Sequence, residues 1–152
     1  DLSTAWERAE DDSVQVIAEQ MAFVESDESP HQGRSLYRSE KAKCVICHGE
    51  FGQGHGLRTF EYSTIPGTNA RSTRRGLYDD WGYRIAPRDL TRGIMRGGNR
   101  PVDLYRRVAA GIKGTPMPPA AALTEEEIWD LVSFIMSLKS GNALGAIFAT
   151  RH

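Results

Sequence analysis

Apolar side chains recur along this chain mainly at helical spacing. The clearest run is Ile128, Leu131, Val132, Ile135 and Leu138, whose steps of three and four place them on one stripe of a helix. Thr124 stands at the N-cap of that run and Glu127 completes a capping box, with Glu125 and Glu126 at the positive end of the helix dipole. Lys139 and then Gly141 close it. A second run, Val102, Leu104, Tyr105, Val108 and Ala109, begins after Pro101, a residue suited to the first helical position. Gly111 and Gly114 end it. A third run carries Leu36 and Tyr37 and is expected to open at Gly33.

Residues 2–24 add a helical head. Leu2, Trp6 and Ala9 form one stripe; Val14, Ile17, Ala18, Met21, Phe23 and Val24 form another, with Ser3 or Thr4 as cap and Glu7 placed for a capping box. Ser26 to Gln32 reads as a linker, with Pro30 ending any helix before it. The pattern predicts an all-α chain in three parts. These are an acidic N-terminal helical extension (1–32), a main body (33–140) and an apolar C-terminal tail (141–152).

Between the helices the pattern breaks. Gly49 to Gly56 holds four glycines in eight residues and predicts a loop able to lie close to a flat ligand. Residues 57–86 follow as a long polar loop insertion rich in Arg, Ser, Thr, Gly and Tyr. Thr91 to Arg100 is turn-rich, with Gly93, Gly97 and Gly98.

A length of 152 residues suits one domain with a real core. No run of 18 apolar residues occurs, so no transmembrane segment is predicted. The net charge of −1 conceals a strong asymmetry. Residues 1–32 carry nine acids and one base, residues 33–120 sixteen bases and seven acids, and residues 121–152 two bases and four acids. A basic middle section predicts either docking of an acidic partner or folding of the acidic head against the body. Nucleic-acid binding is a poor fit, because the chain as a whole is not basic.

The chemistry concentrates at Cys44-Val45-Ile46-Cys47-His48. Two thiols three positions apart, followed at once by an imidazole, form the attachment signature of haem c. The cysteines can add across two vinyl groups on one edge of a porphyrin, and the histidine is carried under the ring to bind iron. A thioredoxin-like redox pair would want a βαβ context, and none is predicted near residue 44. A zinc site would want more ligands, yet there are no other cysteines and only His31, His55 and His152 remain.

The sixth iron ligand is expected in Gly114-Thr115-Pro116-Met117-Pro118-Pro119. A thioether suits haem iron and raises its potential. Prolines on both sides stiffen the loop that presents it. Met95, Met21, Met136, His55 and His31 are the alternatives; Met136 falls inside an apolar helix pattern, and His55 reads as an exposed loop residue. Trp81 and Tyr83 are candidates to pack on the haem edge. Arg88 is the first candidate to pair with a haem propionate.

These motifs, in this order over residues 33 to 140, resemble the class I mono-haem c-type cytochromes of bacteria. The resemblance rests on Gly33, Leu36 and Tyr37, the Cys44–His48 motif with Gly49, and Pro87-Arg88-Asp89-Leu90-Thr91. It continues through Asp103-Leu104-Tyr105-Arg106-Arg107, the run Gly111 to Pro118, and Leu123 to Trp129 with its helix. It implies a small all-α fold around one haem, His48 and Met117 as axial ligands, and a close crossing of the first and last helices. Gly33 permits that crossing, with Phe134 as the aromatic partner and Leu131 one turn earlier. The spacer from Tyr37 to Cys44 is longer than the family's by close to one helical turn, which nearly keeps the same face.

The expected function is one-electron transfer in a respiratory or other extracytoplasmic redox chain, with no catalysis of its own. No Ser-His-Asp or paired-carboxylate constellation is apparent. The alternative is a haem subunit relaying electrons inside a larger oxidoreductase, which the head, insertion and tail favour. A gas-sensing haem ranks third. Because haem attachment takes place outside the bacterial cytoplasm, a periplasmic or similar location is expected, with a targeting segment removed. The expected partners are redox proteins with an acidic docking surface and a possible partner subunit.

Overall fold

The computed structural model describes residues 28–139 together with Ser3, Thr4, Glu7 and Arg8. The rest of the predicted head and the apolar tail lie outside the described residues. The described body contains α1 (Ser29–Arg38), α2 (Val45–His48), α3 (Pro101–Ala110) and α4 (Glu125–Lys139). A two-residue antiparallel pair, β1 (Leu77–Tyr78) and β2 (Arg84–Ile85), lies in the insertion, with Leu77 opposite Ile85 and Tyr78 opposite Arg84. Short 3₁₀ turns cover Leu57–Phe60 and Leu90–Arg92. The all-α expectation holds, with that small hairpin as an addition.

The frame is the crossing of α1 and α4. Ser29, Gly33 and Tyr37 are the buried positions of α1, each four residues after the last, so they share one face. A Cβ on Gly33 would stand 1.9 Å from the Asp130 carbonyl oxygen and 2.9 Å from Phe134 Cβ. Only glycine lets the backbones approach that closely. One turn later the fully buried Tyr37 ring meets Phe134 edge-on, with centroids 5.2 Å apart and planes at 61°. At the start of α1, the Ser29 hydroxyl donates to Asp130 Oδ1 at 2.6 Å.

One expectation is corrected. Residues 29–32, read as linker, are helical: Pro30 stands in the first turn of α1, which begins at Ser29 rather than Gly33, and any helix before it lies outside the described residues. The first turn has no intrahelical use for a proline N–H, so the ring fits there without loss.

The stripe predicted on α4 is buried as expected. Residues 131–135 are buried without a break, because α4 packs against α1, α3 and the Leu90–Arg92 turn from different sides. Tyr105 of α3 lies on Trp129 with ring centroids 4.6 Å apart. The capping box forms: Thr124 N–H donates to Glu127 Oε2 at 2.8 Å, and Glu127 N–H to Thr124 Oγ1 at 3.3 Å. Pro101 starts α3, where Arg100 and Asp103 form a two-pronged ion pair with both contacts at 2.9 Å. Arg100 holds the Asp103 carboxyl below the usual carboxylate range. Met95 belongs to the core and Met136 packs against it.

Candidate haem site

The site is built on the single turn of α2. Cys44 caps the helix, and its carbonyl accepts from Cys47 N–H at 3.2 Å and His48 N–H at 2.9 Å. Both sulfurs and the imidazole are therefore held by one closed turn. Burial pushes the Cys44 thiol up to about 11. Burial also raises the Cys47 thiol, with Arg58 pulling the other way.

The glycine loop then wraps back over the turn. Gly54 N–H donates to the His48 carbonyl at 2.8 Å, and Gly56 N–H to the Cys47 carbonyl at 3.0 Å, so the last carbonyls of α2 find partners. A Cβ on Gly56 would lie 2.4 Å from the Ile46 carbonyl oxygen. The fully buried Tyr37 donates from its hydroxyl to the Gly49 carbonyl at 2.7 Å, tying the α1 core to the residue after His48. Burial pushes this phenol far above its ordinary value, so it remains a donor.

Gly54 has a second use. A Cβ there would stand 2.5 Å from the Pro87 carbonyl oxygen, so its absence admits the Pro87–Arg88 backbone. The Arg88 carbonyl then lies 3.1 Å from His48 Nδ1. A carbonyl can only accept, so Nδ1 carries the proton and Nε2 keeps its lone pair for a metal. Burial lowers the His48 pKa, opposed by this hydrogen bond, and the ring is held neutral, as a ligand must be. Sequence reasoning singled out Arg88 for its guanidinium; the contact the structure provides is its main-chain oxygen, and the side chain is exposed. A carbonyl leaves no residue-type signature, and Pro87 beside it was the only signal.

Met117 lies half-buried in the loop between α3 and α4. Its carbonyl accepts from Ile112 N–H at 3.1 Å, and its N–H donates to Thr115 Oγ1 at 3.3 Å. Thr115 Oγ1 in turn donates to the Ile112 carbonyl at 2.7 Å. Gly111, with φ +68°, brings the loop back so closely that a Cβ would lie 2.7 Å from the Met117 carbonyl oxygen. Cys44, Cys47, His48 and the Arg88 carbonyl thus form one cluster, and Met117 comes from a separate, internally braced loop.

The residues fit a haem. Two sulfurs one turn apart, a neutral imidazole with its outer nitrogen committed, and a braced thioether are soft and borderline donors suited to haem iron. The surroundings suit an apolar disc. Among the described residues the exposed large apolar side chains fall between Ile46 and Ile112, including Leu57 (75% exposed), Trp81 (73%) and Tyr83 (72%), and none lies on α1 or α4. The Leu57–Phe60 turn packs directly beside α2. Trp81 and Tyr83, expected at the haem edge, are exposed, and Trp81 lies on Gly114 of the methionine loop.

The comparisons agree with this construction. The Cytochrome c family model matches residues 31–139. The reducing HAO-like protein complex of Kuenenia stuttgartiensis contains a chain that is similar at 36% identity with a TM-score of 0.60. The match covers 74% of this chain and 44% of that one, so this protein spans less than half of its structural relative. No curated protein matches. With the Cys44–His48 turn, the family match and the fold in agreement, this chain belongs to the cytochrome c family and binds haem c covalently through Cys44 and Cys47.

Proposed function

We propose that this protein transfers one electron at a time through a haem whose iron is ligated by His48 and Met117. The observation that carries this reading is the His48 Nδ1 to Arg88 carbonyl hydrogen bond of 3.1 Å, which leaves the Nε2 lone pair available as a metal donor. The haem supplies a one-electron couple. The chain's own residues hold it still: α2 fixes the sulfurs and imidazole, the glycine loop and Tyr37 fix α2, and the braced loop fixes Met117. Because two axial protein ligands leave little to rearrange between oxidation states, the chain acts as a carrier and not as a catalyst. Arg88's guanidinium is the side chain assigned to a haem propionate. Arg88→Gln should shift the potential while leaving the His48 hydrogen bond intact, because the carbonyl survives.

Among the described residues, Arg71, Arg74, Arg75, Arg84 and Arg88 form no ion pair with a carboxylate, which supports docking of a partner with an acidic surface. Haem attachment supports an extracytoplasmic location; no described helix is long and apolar enough to cross a membrane. A second reading, a subunit relaying electrons within a larger oxidoreductase, is favoured by the likeness to a chain from a protein complex.

Absorption spectra of the oxidised and reduced protein test the first reading. The oxidised form should show the weak charge-transfer band of an iron–thioether bond, and Met117→Ala should abolish it. Carbon monoxide should bind the reduced form poorly; rapid binding would instead indicate a gas-sensing site. Size exclusion of native material separates a free carrier from a complex subunit.

A further inference from the structure

The hairpin of the insertion touches the methionine loop at one point. β1 and β2 are joined by a turn in which Asp79 gathers donors: its N–H reaches the Tyr83 carbonyl at 2.9 Å, and its Oδ1 accepts from Trp81 N–H at 3.0 Å and Tyr83 N–H at 2.8 Å. Gly82, with φ +84°, completes the reversal. This turn presents two contacts to Gly114. The Asp80 N–H donates to the Gly114 carbonyl at 3.0 Å. The Trp81 ring lies so close that a Cβ on Gly114 would stand 2.7 and 2.8 Å from Cη2 and Cζ3. Gly114 has φ +81°, so glycine is required there for its backbone as well as for the space.

Trp81 is 73% exposed and is absent from the hydrophobic core cluster. A tryptophan so placed adds little to the packing of the body. What it does contact is Gly114, the chain neighbour of Thr115 in the loop whose hydrogen bonds join Ile112, Thr115 and Met117. We infer that Trp81 is a positioning residue: the insertion exists in part to clamp the methionine loop from outside, holding the Met117 sulfur against displacement. This inference rests on the axial reading of Met117. The clamp acts through two contacts of different kinds, a main-chain hydrogen bond to the Gly114 carbonyl and the Cη2–Cζ3 edge of the indole ring packed on Gly114. The loop's own hydrogen bonds brace its shape; the clamp fixes its place relative to the rest of the molecule.

The test is displacement of the methionine by imidazole in the oxidised, haem-loaded protein, read from the iron–thioether band. Trp81→Ala should strengthen imidazole binding about tenfold, with Trp81→Phe between it and the parent. The guanidinium midpoint of the whole protein should move little. Gly114→Ala should loosen the loop in the parent by colliding with the ring and by straining a positive φ. In the Trp81→Ala background its effect should be smaller, because the collision is gone, and this non-additivity is the signature of contact. Unchanged imidazole affinity in Trp81→Ala, with Met117→Ala abolishing the band, overturns the clamp and leaves the axial reading standing. A band that survives Met117→Ala overturns the axial reading itself. A lowered guanidinium midpoint with unchanged imidazole affinity shows Trp81 to be merely structural and also overturns the clamp.

Discussion

Two glycines in this protein are crowded by neighbours from another element, and the contrast between them separates stability from function. Gly33 lies in α1, buried, against the main chain of α4, where a Cβ would come within 1.9 Å of a carbonyl oxygen. That neighbour is helix backbone and cannot yield. Gly114 lies in the methionine loop against the side chain of an exposed tryptophan, where a Cβ would come within 2.7 Å of the ring. That neighbour can rotate away at modest cost. The first contact holds two helices of the frame together by burial. The second joins an insertion to the Met117 loop through a buried glycine and a mostly exposed ring. Damage at the first should unfold the protein; damage at the second should leave it folded and alter the metal.

The largest effect should come from Gly33→Val. A branched side chain forced into the α1–α4 crossing should destabilise the haem-loaded protein by about 4 kcal/mol or more in guanidinium denaturation followed by circular dichroism. Phe134→Ala, which empties the space beside Tyr37 on the same crossing, should cost about 3 kcal/mol in the same assay. Equal stability in either variant would break the comparison from the frame side. Gly114→Ala should cost only about 1–2 kcal/mol, the penalty of an L-residue at positive φ, while its iron–thioether band weakens more than that of either frame variant. Tyr37→Phe should cost about 1 kcal/mol by leaving the Gly49 carbonyl without its donor. Its band should persist, since the contact supports the turn and not the thioether.

The smallest effect concerns the N-terminus of α4. The Glu127 carboxylate lies 2.6 Å from Lys41 Nζ and accepts from Thr124 N–H. Its carboxyl is held below the ordinary value, first by Lys41 and then by Thr124. A depressed folded pKa means that the stabilisation is present above the unfolded value of about 4.5 and is lost as pH falls through the lower folded value. Glu127→Gln keeps a capping amide but no charge. The parent should therefore be slightly more stable than this variant near neutrality, and the two denaturation midpoints should converge at acid pH. A gap that persists unchanged at low pH would show that charge is not its source.

Several elements were legible because their causes are local. The Cys44–His48 spacing is set by the porphyrin's own chemistry, so it reads the same in any fold. The α4 stripe, the Thr124–Glu127 box and Pro101 at the head of α3 depend on neighbours within a turn or two and appear as read. Gly33 and Phe134 meet as the family resemblance implied. The start of α1 was placed too late because a proline ring that stops a helix from inside also fits the first turn of a new one; which applies depends on whether the residues after it find a partner to bury against. Here α4 supplies that partner.

The sequence alone therefore determined the covalent anchor, the helices and the residues able to serve as ligands, since each follows from spacing, caps or the donor chemistry of a residue type. Only the tertiary structure decided that the Arg88 carbonyl meets His48, and that the insertion returns to place Trp81 on Gly114. Both are contacts between segments tens of positions apart, made by a main-chain oxygen and by the absence of a side chain. Neither leaves a periodic or compositional mark, so they come into view only when the chain has closed on itself.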